Sequence, residues 1–170
     1  MFIGIDLGTS SIKMILIDQN QKILATATSS LTVQSPKDGF SEQNPQEWID
    51  STMKCFEALK LKKPNEFSQT VSLGISGHMH GATLIDKDGN VIRPCILWND
   101  TRSYQECEEF EKQNFDVRSI SGNITMPGFT APKINWIKNN EIDNFRKIFK
   151  VLLPKDYLRF ILTGEFFSEM

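Results

Sequence analysis

The sequence begins with MFIGIDLGTSSIKMILI (residues 1–17), in which two apolar, β-branched runs flank a short turn of small residues. This pattern predicts a β-hairpin with strands at residues 2–7 and 11–17. Asp6 is the one carboxylate in the hairpin, and it stands just before the turn. Because an ionised carboxylate is costly to bury without a partner, we expect the first strand to carry Asp6 to the loop.

The turn itself has the composition of an anion site. Gly8 lets the backbone approach a ligand closely. Backbone N–H groups and hydroxyls of Thr9, Ser10 and Ser11 are suited to face a phosphate, and Lys13 adds a cation nearby. One interpretation is a phosphate-facing hairpin in which Asp6 holds a metal ion. The other is an ordinary hairpin turn with a solvated Asp6, since Gly-Thr-Ser turns are common.

Composition restricts the class of protein. The chain has 170 residues, 39% of them hydrophobic and 24% charged, which is typical of one soluble globular domain. A net charge of −2 gives no electrostatic argument for nucleic acid or an anionic membrane. No apolar run is long enough to cross a bilayer, and no secretory signal is visible. Three irregularly spaced cysteines indicate reduced thiols and predict a cytoplasmic protein.

The pattern along the chain predicts an α/β fold. A third strand at 22–31 would complete an antiparallel meander, and a helix from Pro45 to about Leu61 would cross over to a parallel strand at 71–75. The segment from 94 onward has mostly helical periodicity. We therefore expect a sheet-and-helix core at 1–93 and a mainly helical insertion at 94–170. A sheet of four strands with an unprotected edge indicates an incomplete domain, and such an edge allows a homodimer.

Two further clusters carry candidate chemistry. Ser76-Gly77-His78-Met79-His80-Gly81 lies past the carboxyl end of the predicted parallel strand, where ligands sit in open α/β sheets. Two histidines are too few for a catalytic zinc site. The alternatives are a pair of half-buried imidazoles, or a pocket in which His80 binds a polar small molecule and Met79 shapes the wall.

The second of these clusters is Trp98-Asn99-Asp100 with Arg102. An aromatic platform beside amide, carboxylate and guanidinium groups suits recognition of a polyol. The competing interpretation is a core tryptophan followed by a helix cap at Asp100 and a solvated Arg102, since Asp caps are common.

Several of these stretches resemble one family. The segments are 3–10 (IGIDLGTS), 74–83 (GISGHMHGAT), 96–100 (ILWND), 126–133 (MPGFTAPK) and 152–159 (LLPKDYLR). Together they resemble the FGGY carbohydrate kinases, and the bacterial xylulokinases in particular. The resemblance implies a ribonuclease-H-like (actin-like ATPase) fold, with residues 1–170 forming part of the N-terminal, sugar-binding domain. The C-terminal ATP-binding domain of that family is not in this sequence.

The resemblance also implies a reaction and a set of site residues. ATP and Mg²⁺ would phosphorylate the C5 hydroxyl of D-xylulose or a related ketose. Asp6 would lie at the metal and phosphate end, touching Mg²⁺ through water. The remaining residues fall into a phosphate group and a sugar group: Gly8, Thr9, Ser10, Ser11 and Lys13; and Met79, His80, Trp98, Asp100 and Arg102.

In this family the catalytic base is an aspartate of a later segment, so the 170 residues alone are expected to be inactive. Position 78 is usually Gln in xylulokinases, whereas here it is His78. That departure leaves open another FGGY kinase acting on a different sugar or polyol. A third alternative is a non-catalytic sugar-binding module.

Overall fold

The structure is a computed structural model that describes residues 1–112 and 116–168. Residues 113–115, 169 and 170, which belong to the predicted helical second half, lie outside the described residues. The chain forms two compact units. The first comprises Met1–Val33, Pro45–His78 and the chain from Pro154 onward, and the second comprises Gln34–Asn44 and Met79–Leu153. These boundaries differ from the 93/94 division expected from the sequence.

The strands in chain order are β1 (Phe2–Leu7), β2 (Ser11–Ile17), β3 (Ile23–Ser30), β4 (Glu42–Gln43), β5 (Ser72–Gly77), β6 (Thr83–Ile85), β7 (Cys95–Ile96) and β8 (Lys150–Leu152). The helices are α1 (Pro45–Lys62), α2 (Pro64–Ser68), α3 (Tyr104–Lys112), α4 (Val117–Ser121), α5 (Thr130–Asn140), α6 (Ile142–Lys147) and α7 (Pro154–Thr163).

The first unit is built on a mixed four-stranded sheet in the order β3-β2-β1-β5. Strand β1 pairs antiparallel with β2 and parallel with β5, as the sequence predicts. Apolar residues alternate along β1 and β2, so that one face of each strand is buried; the buried side chains are Ile3, Ile5, Leu7, Ile12, Met14 and Leu16. Helix α1 packs on β2 and β3 and buries Trp48, Cys55 and Leu59.

Strand β5 forms an edge of this sheet among the described residues, and its side chains are more exposed than those of β1 and β2. Leu73 retains 43% of its accessible surface. Helix α7 packs against β5 and α1, and the Tyr157 ring meets Trp48 edge-on at 6.4 Å. These contacts place α7 in the first unit, although it follows the second unit in the sequence.

The second unit is held together by very short strands. Strand β4 pairs with β7, and β6 pairs with β8, both antiparallel. Ala82, Leu84, Ile96 and Ile137 form its buried apolar cluster, against which Trp136 packs. The sequence predicted a loop around β4 and only an apolar run at β8. Each of these pairs joins segments more than fifty residues apart, which local periodicity does not reveal.

No helix in the described part of the chain combines the length and the apolar character needed to cross a lipid bilayer.

Two leucines of α1 provide a matched test of this packing. Leu59 is fully buried, whereas Leu61 is 84% exposed. We expect Leu59→Ala to lower the free energy of unfolding by about 2–5 kcal/mol because it leaves a cavity. The same change at Leu61 should alter it by no more than about 0.5 kcal/mol. Urea denaturation of both variants is the measurement, and equal losses would contradict the assignment of the buried face.

Candidate functional site

The turn between β1 and β2 holds the predicted phosphate-side residues in the first unit. The N–H of Gly8 donates to the carbonyl of Ser11 at 3.1 Å, and the N–H of Leu31 donates to the carbonyl of Ser10 at 2.9 Å. A Cβ at position 8 would meet the Ser11 carbonyl oxygen at 3.0 Å, so a side chain there would crowd this turn. One of these hydrogen bonds closes the turn, and the other joins the turn to the residue that follows β3.

Asp6 and Lys13 are cross-strand partners next to that turn. Both are exposed, and Asp6 also pairs in register with Ser76 of β5. Opposite charges at directly facing positions of an antiparallel pair attract each other. The hairpin therefore presents one carboxylate and one ammonium beside a turn of hydroxyl-bearing residues.

His78 has a different environment from the two residues that follow it. Its side chain is 9% exposed. Its ring meets the Trp48 ring edge-on, with the two ring centroids 5.8 Å apart. His78 therefore packs in the core of the first unit.

The second unit contains the turn formed by Met79, His80 and Gly81. Met79 is 57% exposed. His80 has a positive φ of 60°, a left-handed conformation that few non-glycine residues adopt. The His80 ring packs against Phe129 with centroids 4.8 Å apart. The turn thus exposes the methionine side chain while the histidine ring lies against an aromatic side chain.

Lys133 of α5 fixes this turn from inside the unit. Its side chain is fully buried, and its Nζ donates to the carbonyl oxygens of His80 and Gly128, both at 2.7 Å. The hydroxyl of Thr130 donates to the same His80 carbonyl at 3.2 Å. One buried amino group therefore joins the 79–81 turn to the turn at 126–129.

The 126–129 turn also meets the segment that carries Trp98. The N–H of Phe129 donates to the carbonyl of Met126 at 2.9 Å and closes the turn. A Cβ at Gly128 would come within 2.5 Å of the Trp98 carbonyl oxygen, so only glycine fits there without a shift of the backbone. Trp98 itself is 45% exposed.

Asp100 and Arg102 lie in a buried network of charges. The Asp100 carboxylate accepts from the Ser41 N–H at 2.6 Å and from the Arg102 guanidinium at 2.7–3.0 Å. Arg102 also contacts Glu42 at 2.7 Å, and Glu42 in turn pairs with Arg93. Buried charges persist only when they are paired and hydrogen-bonded in this way.

The Arg102 guanidinium also lies over aromatic rings. Its Cζ is 3.7 Å from the ring centroid of Phe40 and 4.9 Å from that of Trp136. The exposed Trp98 and the buried Arg102 are the reverse of the alternative that predicted a core tryptophan and a solvated arginine. That alternative is wrong for both residues, because the ion pairs and the ring contacts hold Arg102 inside the unit.

The two units divide the predicted site residues between them. The first unit holds the phosphate-side group, and the second unit links the sugar-side group through Lys133, Gly128 and the Asp100–Arg102 pair. Sequence reasoning missed Lys133, Thr130 and Gly128 as parts of this site. The MPGFTAPK stretch at 126–133 was a signal that could have found them.

Burial shifts the pKa values of the two basic groups at the 79–81 turn. Burial, and next the positive charge of Lys133, lower the pKa of His80 below its ordinary value, which favours the neutral imidazole. Burial lowers the pKa of Lys133 to about 8, against the opposing effects of Cys95 and, next, of the Asp100 carboxylate. A neutral imidazole can both donate and accept a hydrogen bond, as recognition of a hydroxyl group requires.

Comparison with known proteins connects this arrangement to a family. The sequence pattern described as the N-terminal domain of the FGGY family of carbohydrate kinases matches residues 1–170. The chain belongs to the FGGY family of carbohydrate kinases. This match confirms the fold class expected from the sequence. The mixed β-sheet of that fold is the four-stranded sheet of the first unit.

Two relatives and one further structure illustrate the similarity. The chain is 49% identical to the xylulose kinase of Escherichia coli over all its 170 residues, which cover 35% of that protein. It is 53% identical to a "xyloylose kinase" structure from Brucella ovis, with a TM-score of 0.93, covering 96% of this chain and 34% of the other. A gluconate kinase structure from Lactobacillus acidophilus has a TM-score of 0.90 at 24% identity, covering 97% and 33% respectively, and shows the fold alone.

The chain spans about a third of the length of the curated relatives that it matches. Among its described residues, no group of three or more His, Cys, Asp or Glu side chains could hold a metal ion. Asp6 is the carboxylate next to the phosphate-side turn. A single carboxylate fits Mg²⁺ that keeps most of its water ligands, and does not form a complete metal cage.

The buried position of Lys133 has a measurable consequence. We expect its amino group to titrate near pH 8, whereas a free lysine titrates at about 10.4. The group is then charged below pH 8 and neutral above it, because burial penalises the charged form. An NMR titration with ¹³C-labelled lysine gives this value, and Lys133→Arg assigns the resonance. A midpoint above about 10 would contradict the buried environment.

Proposed function

We propose that the full-length protein transfers the γ-phosphoryl group of ATP to the C5 hydroxyl of D-xylulose. The products would be D-xylulose 5-phosphate and ADP. The observation that carries this proposal is the 49% identity to the Escherichia coli xylulose kinase over the whole chain. The kinase class itself follows from family membership.

The residues proposed to act on the phosphate lie in the first unit. The turn at Gly8, Thr9, Ser10 and Ser11, with Lys13, would lie beside the transferred phosphoryl group. Asp6 would hold ATP-bound Mg²⁺ through a water molecule, and the metal would neutralise charge on the phosphates. Phosphoryl transfer depends largely on positioning and charge stabilisation, which this set of groups can provide.

The sugar would bind at the 79–81 turn. The exposed Met79 side chain offers an apolar wall and His80 a neutral imidazole for a hydroxyl group. The half-exposed Trp98 offers an aromatic face. Contact of the sugar with Asp100 and Arg102 stays a prediction. Their polar atoms already bond to each other, to Ser41 and to Glu42, so a role in shaping the wall is also consistent with the geometry.

We assign the catalytic base to no residue of this chain. A sugar hydroxyl needs a base within hydrogen-bond reach, and in this family we expect an aspartate of a later segment to supply it. Adenine binding would likewise belong to a second domain. The alternative of another sugar substrate, which drew on His78, stays a prediction; the His78 ring packs against Trp48. A cytoplasmic location and a homodimer remain proposals.

The substrate assignment predicts a clear order of activities. The full-length protein should phosphorylate D-xylulose with a higher kcat/KM than ribulose, glycerol or gluconate, in an assay that couples ADP release to NADH oxidation. Replacement of Asp6 by Asn should lower kcat strongly, because the carboxylate is the group proposed to face the metal. A preference for any of the other three acceptors would overturn the substrate assignment while leaving the kinase class intact.

The isolated 170 residues should show no turnover with ATP and D-xylulose, because the proposed base and adenine site lie elsewhere. Calorimetry of the same chain with D-xylulose in the absence of ATP separates a sugar-binding module from a fragment that binds nothing. Turnover by a rigorously purified sample would contradict the assignment of the base to a later segment.

A further inference from the structure

The 79–81 turn depends on support from outside its own residues. His80 adopts a left-handed conformation that is disfavoured for a residue with a Cβ atom. Such a conformation persists only when the surrounding structure holds it. Its carbonyl oxygen accepts two hydrogen bonds, from Lys133 and from Thr130, and both donors lie on α5.

Lys133 is the stronger of these two supports. Its Nζ is 2.7 Å from the His80 carbonyl, against 3.2 Å for the Thr130 hydroxyl. The Lys133 side chain is fully buried, so its amino group is shielded from bulk water. The same Nζ holds the Gly128 carbonyl at 2.7 Å. Two backbone segments therefore share one donor group.

Both segments carry parts of the proposed sugar site. The 79–81 turn carries Met79 and the His80 ring, which packs on Phe129. A Cβ at Gly128 would come within 2.5 Å of the Trp98 carbonyl oxygen, so the 126–129 turn packs directly against the segment that carries Trp98. A loss of the Lys133 amino group would thus loosen both walls together.

We propose that Lys133 is a positioning residue for the sugar site, holding the His80 and Gly128 carbonyls so that Met79, His80 and Trp98 face one substrate. This inference rests on the proposed function. Lys133 is buried behind the turn and acts through the backbone, and Thr130 assists it at the same carbonyl.

The test uses the full-length kinase and three variants. Lys133→Met keeps an unbranched side chain, one atom shorter, and removes the amino group with its donors. Thr130→Val removes the second donor without touching the buried amino group. Lys138→Met is the matched control, since Lys138 is an exposed residue of the same helix.

We expect Lys133→Met to raise the KM for D-xylulose at least about tenfold, as loss of a charged hydrogen-bond donor predicts, with the KM for ATP within about twofold of the wild type. Thr130→Val should give a smaller rise and Lys138→Met none. If Lys133→Met fails to fold, Thr130→Val still shows whether the KM for D-xylulose rises while the KM for ATP stays near the wild-type value. Equal changes in both KM values, or no change in either variant, would overturn the proposal.

Hydrogen exchange measured by mass spectrometry gives a second readout that needs no substrate. In Lys133→Met, amides of the peptide covering residues 79–82 should exchange faster, while those of the β2 peptide stay unchanged. Unchanged exchange at 79–82 would also overturn the proposal. If the wild-type enzyme does not phosphorylate D-xylulose, the proposed function fails, and the exchange data alone then decide whether Lys133 holds the turn.

Discussion

The buried Lys133 amino group donates the two hydrogen bonds that join the 79–81 turn to the 126–129 turn in the second unit. They hold the carbonyls of His80 and Gly128, which belong to segments almost fifty residues apart. Without a donor, a buried carbonyl and a left-handed histidine would each be unfavourable. With the donor, the chain can present Met79 at the surface and keep the His80 ring against Phe129.

In the first unit, ordinary sheet geometry determines where the Asp6 carboxylate lies. Its hairpin must place a carboxylate and a turn of small residues at the end of a buried strand. Successive side chains of β1 point to opposite faces of the sheet. Ile3, Ile5 and Leu7 therefore lie on the buried face and Asp6 lies on the other one. The pairing with Lys13 and Ser76 then fixes where that carboxylate stands. The sheet therefore buries one face of β1 and exposes Asp6 on the other.

The sequence predicted the periodic parts of this fold well. The hairpin, the third strand, helix α1 and the parallel strand all have strong apolar patterns, and each is present within a few residues of its predicted bounds. The two-residue pair β4–β7 and the pair β6–β8 were missed. Strands of two or three residues have no measurable period, and their partners lie far away in the chain.

The site was harder to predict than the fold. A lysine or an arginine in a sequence is most often a surface residue, and nothing local shows that Lys133 and Arg102 are buried. Their burial depends on carbonyls and carboxylates brought from other segments, such as Glu42 and the His80 turn. Resemblance to the FGGY kinases predicted a sugar site at Met79 and His80, and the structure adds the hydrogen bonds that Lys133 and Thr130 donate to the His80 carbonyl.

A sugar site at the 79–81 turn is tested most directly by observing Met79 when sugar binds. In the full-length protein, methyl-¹³C methionine labelling with a Met79→Leu variant for assignment identifies the Met79 resonance. Titration with D-xylulose should shift this resonance saturably, at concentrations that match the KM of the phosphorylation reaction. A Met79 resonance that does not move while the enzyme phosphorylates D-xylulose would contradict a sugar site at this turn.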